Sequence, residues 1–433
     1  MTRFRLATHE TFASLRSRNF RLFFGGQLVS QVGNWLTMVA MTLLVLKLTD
    51  NSGVAIGFIV AAQFAPVLLF GAWGGLIADR SDKRKLLIIV QTVAMLQSFA
   101  LAFLAFMPET PLVPLYFVAA VGGFTTAFDN PARRAFVTEL VPEADVNNAV
   151  SLNSALMTSA RVVGPALAGL LVVTVGFGWA FLADALSYVA VIGALWLIDP
   201  KKVRRAPVAA KAKGQVREGL RYVRTVPELW IPLVMMAIIG TLAFNFTVVV
   251  PLFAEGTLGG DTTTFTLLMS VLSVGSLVGA LSVARRKRVT VRNVIVSATL
   301  FGGAMLAFAA SPTLLVAFPV AVLVGFGSIS FLTASTAIVQ VEAAPMMRGR
   351  VLALQAIVFL GSTPIGGPIL GWVSDAWGAR VGIVVGGAAC LVAAGFGLVV
   401  GRRVLGDGGL VDDRGVRVIE DELTSTGEMR AIA

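Results

Sequence analysis

Twelve apolar stretches run the length of this chain, at about 20–47, 53–77, 86–107, 112–130, 148–173, 177–198, 231–254, 265–284, 293–311, 313–340, 350–373 and 381–401. Each is long enough to cross roughly 30 Å of hydrocarbon as an α-helix. Lipid offers the backbone no hydrogen-bond partners, so a crossing segment satisfies its own by coiling. The separation is thinnest at 311–313, where only "SPT" parts the ninth stretch from the tenth. Composition agrees: 56% of residues are apolar, 14% are charged and mean hydropathy is +0.84, far from the balance of a soluble domain. The expected fold class is an all-α integral membrane protein with twelve transmembrane helices.

The net charge of +11 invites a nucleic-acid reading, but its distribution speaks for a bilayer. With the N-terminus in the cytoplasm, every Lys and Arg except Lys47, Arg380 and Arg161 falls in an inner segment. Such bias expects both termini inside and an even number of spans. It leaves no domain for nucleic acid. The expected organisation is a cytoplasmic leader at 1–19, a six-helix bundle at 20–198, a basic linker at 199–230, a second six-helix bundle at 231–401 and a polar tail at 402–433. In the leader, Phe12, Leu15 and Phe20 have the spacing to dip into the membrane surface, and a flexible segment fits equally well. In the linker, "VREGLRYVRTVPELW" has helical spacing. The single cysteine, Cys390, reads as apolar packing in the last span.

The two halves look like copies. "GGLIADRSDKRK" after the second stretch aligns with "GALSVARRKRVT" after the eighth, and "GPALAG" in the fifth aligns with "GPILG" in the eleventh. The offsets, 204 and 203 residues, agree to within one. Duplicated membrane bundles enclose a site at their interface near mid-membrane. Pseudo-symmetry about such a site is therefore expected.

Candidate site residues come from polar groups inside apolar runs. Two ionisable residues lie well inside spans, Arg161 in the fifth and Asp184 in the sixth, at depths that permit a pair. A charge at mid-membrane costs about 2.5–3.5 kcal/mol on insertion scales, so it faces protein or water. Gln27, Gln31 and Asn34 share one helix face, as do Thr241 and Asn245 in the seventh stretch. Ser328, Thr333 and Thr336 lie along the tenth. Met38, Phe244 and Phe331 offer adaptable apolar contact. These residues form a candidate cavity wall, or else bonds between helices. Asp184 is the first candidate proton carrier, with Glu255 and Asp129 behind it, and Arg161 is a coupling or substrate-binding candidate. Enzyme chemistry finds no footing. The only histidine is His9, no phosphate-binding loop is present, and no metal or cofactor is expected.

Gly75-Leu-Ile-Ala-Asp79-Arg80-Ser-Asp82-Lys83-Arg84 resembles the signature loop of the major facilitator superfamily, with Asp82 where that loop has glycine. The resemblance implies that Asp79 holds a cytoplasmic gate through Arg133 or Arg134. Gly164-Pro165-x-x-x-Gly169 resembles the helix-5 motif of the exporters in that superfamily. Longer stretches, among them "DNPARRAFVTELVPEADVNNAVSLNSALMTSARVVGPALAG", resemble the branch containing the enterobactin exporter and macrolide efflux proteins. What this resemblance implies is a proton-driven exporter of an amphipathic small molecule, a siderophore or a drug such as a macrolide: monomeric, in a bacterial plasma membrane, working by alternating access of two bundles. A lipid or lysolipid flippase, an importer and a non-transporting receptor are the alternatives.

Overall fold

The structure, a computed structural model, describes residues 12–204, 215–286 and 289–409. His9 and most of the expected leader, linker residues 205–214 and tail residues 410–433 lie outside the described residues. Among the described residues, twelve helical segments are long and apolar enough to cross a membrane. Spans 1 to 6 are Arg18–Leu48, Gly53–Arg80, Lys83–Phe106, Leu112–Glu139, Val146–Val175 and Phe177–Leu197. Span 7 is broken into Pro227–Leu242 and Phe246–Gly256. Spans 8 to 12 are Thr262–Ala284, Val291–Ala310, Leu314–Glu342, Pro345–Trp377 and Ala379–Gly409.

Local chemistry sets these boundaries. The Ser52 hydroxyl and the Asp82 and Asp261 carboxylates accept backbone N–H bonds in the first turns of spans 2, 3 and 8. Asp82, the departure from the superfamily loop, is thus the N-cap of span 3. Gly176 and Gly378 end spans 5 and 11 with φ of 87° and 90°, a left-handed backbone that favours glycine. The two turns occupy equivalent places in the two halves.

Packing repeats in the same way. In the first half, span 1 packs on spans 5 and 6, span 2 on span 4, and span 3 on spans 4 and 6. Adding six to each number reproduces the main contacts of the second half. Between the halves the principal contacts pair span 2 with span 11 and span 5 with span 8. Exposed Leu69, Phe103, Phe117 and Trp196 belong to faces turned towards lipid. The face where span 1 begins and span 12 ends also carries Arg80, Arg84, Arg134 and Arg285, and is called the basic face below.

Two sequence expectations change here. Phe20 is fully buried in a core with Phe23 and Phe136 and does not lie in a surface leader. Span 4 continues past residue 130 to Glu139, which takes Arg133 and Arg134 into the helix. Asp129 and Arg133 lie one turn apart and form an ion pair at 3.2 Å, so neither enters the span as an uncompensated charge. In the linker, helix Gln215–Thr225 sits where helical spacing was expected. Its Glu218 pairs with Arg350 of span 11 at 2.7 Å, and the Tyr222 hydroxyl accepts from the Ala344 N–H at 3.0 Å.

A charged cavity among the first six spans

A cavity of about 320 Å³ is lined entirely by spans 1 to 6. Gln31, Asn34, Trp35, Thr37 and Met38 come from span 1, Gln63 and Phe64 from span 2, and Gln91 and Gln97 from span 3. Span 4 contributes Thr125, Thr126, Asp129, Asn130 and Arg133, span 5 contributes Met157 and Arg161, and span 6 contributes Tyr188. Neutral amides, two arginines and one carboxylate face one another above an apolar floor. That mixture suits a small organic molecule with its own polar groups.

The charges are organised. Arg133 pairs with Asp129 and donates to Asn130 at 2.8 Å and to Gln27 at 3.3 Å. Gln91 donates to the other Asp129 oxygen at 2.7 Å. Gln27 accepts from both Arg133 and Gln31, so it stands behind the wall and orients it. Arg161 lines the same cavity, is exposed to it, and has no carboxylate within 4 Å among the described residues. The lining therefore carries one cation more than it carries anions.

Asp184 is elsewhere. Its fully buried carboxylate accepts from the hydroxyls of Thr37 at 2.5 Å, Ser98 at 2.7 Å and Ser187 at 3.4 Å, where spans 1, 3 and 6 meet. It does not pair with Arg161, the partner that the two depths permitted. Depth along the membrane allowed that pair, but the rotation of spans 5 and 6 does not bring the groups together. Thr37, which lines the cavity, stands between Asp184 and the opening.

The second half supplies none of the expected cavity wall. Ser328 and Phe331 are 1% and 0% exposed within span 10 packing. Phe244 meets Phe246, Phe301 and Phe359 edge to face. Asn245 caps the break in span 7 by donating to the Thr241 carbonyl at 2.8 Å, and span 11 packs on that carbonyl at Gly366. Thr333 is half-buried and lies outside the cavity. Glu255 sits at the far end of span 7 near Asp261, also away from it. Ser328 and Asn245 donate to backbone carbonyls of their own spans. The sequence reading passed over Gln63, Gln91 and Gln97, although single amides inside apolar runs were the available signal.

The helix-5 motif and the signature loop have separate tasks. Gly164 packs on Trp35, where an added methyl would meet the Trp35 Cβ at 2.5 Å, while Gly169 packs on Thr266 of span 8. The copied motif in span 11 packs on span 2: a methyl on Gly57 would stand 2.6 Å from the Gly367 carbonyl. Both copies therefore bring the two halves into close contact, towards the face opposite the basic one. In the loop, Lys83 pairs with Glu139 at 2.7 Å, and Arg84 donates to the Leu195 and Trp196 carbonyls at the end of span 6. Asp79, Arg80 and Arg134 are exposed, as is Gly75's neighbour Leu76. Asp79 does not meet Arg133, whose guanidinium is turned into the cavity.

Twelve spans in two repeated bundles, the first of which encloses a charged cavity, define a membrane transporter of the major facilitator fold. Residues 9–405 match the family model described as "Transmembrane secretion effector", and the chain belongs to that family within the major facilitator superfamily. The chain is 25% identical to the staphyloferrin A transporter of Staphylococcus aureus, over 83% of this chain and 90% of that one. Macrolide efflux protein A of Streptococcus pyogenes is 29% identical over 35% of this chain and 37% of its own length. Among solved structures, the bacterial homologue of the human lysosomal transporter Spinster, in its inward-facing and unoccupied conformation, aligns with a TM-score of 0.72 and 15% identity. That alignment covers 90% of this chain and 98% of the other. The chain is not an enzyme but a multi-pass transporter.

Proposed function

We propose that the protein exports an amphipathic small molecule across the bacterial plasma membrane in exchange for protons, with the basic face in the cytoplasm. The observation that carries this reading is the cavity itself: a paired Asp129–Arg133, an unpaired Arg161 and a ring of amides enclosed by spans 1 to 6. Asp129 is the proton carrier in this reading, because it faces the cavity. Protonating it removes the charge that holds Arg133 and frees that guanidinium to turn towards cargo. Asp184, first choice from the sequence, becomes a positioning residue that ties spans 1, 3 and 6 together. Arg161 selects cargo bearing an acidic group, since an uncompensated guanidinium favours an anion and repels a cation.

Export is supported by the relative named macrolide efflux protein A. The cell-level test compares metabolites in cells and medium with and without the protein. Retention of a compound in deletion cells, reproduced by a protonophore in cells that have the protein, identifies cargo and coupling together. Unchanged profiles across organic acids and drugs would sink the export reading in favour of lipid movement. A pH-sensitive dye sealed inside proteoliposomes then tests antiport: adding cargo must move protons the opposite way.

A further inference from the structure

Asp184 is a carboxylate without a counter-charge. It is fully buried where spans 1, 3 and 6 meet, and among the described residues no lysine or arginine lies within 4 Å of it. Its neighbours are three hydroxyls: Thr37 at 2.5 Å and Ser98 at 2.7 Å from one carboxylate oxygen, and Ser187 at 3.4 Å from the other. A carboxylate taken out of water at this depth loses its hydration, and hydroxyl dipoles restore only part of it. Span 1 is shaped to admit the group. A methyl on Gly33 would overlap Asp184 Oδ1 and stand 2.5 Å from the Ser187 oxygen, so only glycine lets span 6 come this close.

The donor set has a definite chemistry. Both carboxylate oxygens and three hydroxyl oxygens converge from three spans, with no nitrogen or sulfur among them. Oxygen alone selects a hard cation of the alkali or alkaline-earth kind. A hydroxyl that now donates can turn and offer a lone pair instead. One carboxylate supplies one negative charge, which balances a monovalent ion and leaves calcium or magnesium half compensated. The oxygens lie within 3.4 Å of one another's carboxylate partner, a tighter cage than the carbonyl shell that accommodates potassium. Sodium fits both the charge and the size. The way in is also defined: half-buried Thr37 lines the cavity and touches Asp184, so an ion arriving from the cavity meets that oxygen first. Arg161 on the same lining raises the barrier to passage in both directions, which suits an ion that stays.

We propose that Asp184, Thr37, Ser98 and Ser187 hold a resident sodium ion that ties spans 1, 3 and 6 together. All four residues belong to one six-helix bundle, so a movement of one bundle against the other does not part the ligands. The ion is therefore structural and is not exchanged for cargo. The proton is left to Asp129, and the sodium site stands whether or not the protein exports.

The full-length protein, purified in sodium-free choline buffer and placed in lipid nanodiscs, is brought to equilibrium with radioactive sodium. Binding should saturate at a single ion per chain, and unlabelled sodium should displace it at least about tenfold better than potassium. Asp184→Asn keeps the shape and removes the charge, and should abolish binding. Thr37→Val and Ser98→Ala leave the carboxylate in place and should each weaken binding about tenfold, the worth of one bond to a charged partner. Thermal unfolding gives a second readout. Sodium should raise the midpoint of the unchanged protein above its value in equal potassium, and should leave that of Asp184→Asn where it was. If Asp184→Asn does not fold, the two hydroxyl variants carry the comparison. Absence of saturable sodium binding, equal displacement by potassium, or binding unaltered in Asp184→Asn or in both hydroxyl variants would overturn the site.

Discussion

The two halves of this protein share a scaffold and divide the labour. Contacts among spans 1 to 6 recur among spans 7 to 12, and the glycine turns at Gly176 and Gly378 coincide. Yet the described cavity, with Asp129, Arg133 and Arg161, lies wholly in the first half. The corresponding depth of the second half is filled by Phe244, Phe301, Phe331 and their neighbours. Duplication supplied a symmetric frame, and substitution then concentrated charge in one copy and close packing in the other. In the proposed transport cycle the packed bundle serves as a lever and the bundle with the cavity as the binding element.

This contrast can be broken experimentally, and the largest effect is expected at Asp129. Asp129→Asn should abolish proton-driven accumulation in everted vesicles while leaving cargo counterflow, because the amide keeps the shape and cannot carry the proton. Asp184→Asn should keep gradient-driven transport, and loss of coupling there with Asp129→Asn still coupled would return the carrier to Asp184. Next, Arg161→Ala should weaken binding of the acidic cargo by about 10- to 100-fold, measured by equilibrium binding on purified protein. Arg161→Lys should recover only part of that loss, since lysine keeps the charge without the planar fork. In the second half the signature is reversed. Phe331→Ala should cost about 3–5 kcal/mol of stability by leaving a cavity, seen as earlier thermal unfolding in detergent, with cargo affinity in the folded fraction unchanged. Smallest of all, Thr333→Ala should alter neither affinity nor coupling. A clear loss of cargo binding there would restore the second half as a cavity wall.

Much of this was legible along the chain. The twelve spans, the repeat and the superfamily resemblance all rest on hydropathy and local spacing, which lipid reads residue by residue. Arg161 was visible as a charge without a counterpart, because the repeat places Pro364 at the matching position. Helical periodicity also put Gln31 and Asn34 on one face, and both line the cavity. It failed where the deciding quantity was rotation about a helix axis. Thr241 with Asn245 and Ser328 with Phe331 have spacing as suggestive as Gln27 with Gln31, yet they face neighbouring helices. Span 4 misled for another reason: Asp129 and Arg133 mark a polar end in a hydropathy profile, but paired with each other they prolong the helix.

What the sequence determined by itself was the solvent, the number of crossings and the duplicated plan, since these follow from the cost of placing backbone and charge in hydrocarbon. Only the tertiary structure decided which charges meet. Asp184 goes to three hydroxyls, Asp129 to Arg133, Asp375 across the bundles to span 2, and Arg161 to none of them. Those pairings depend on how each helix is turned and how close its glycines let a neighbour come, and both are properties of the packed assembly.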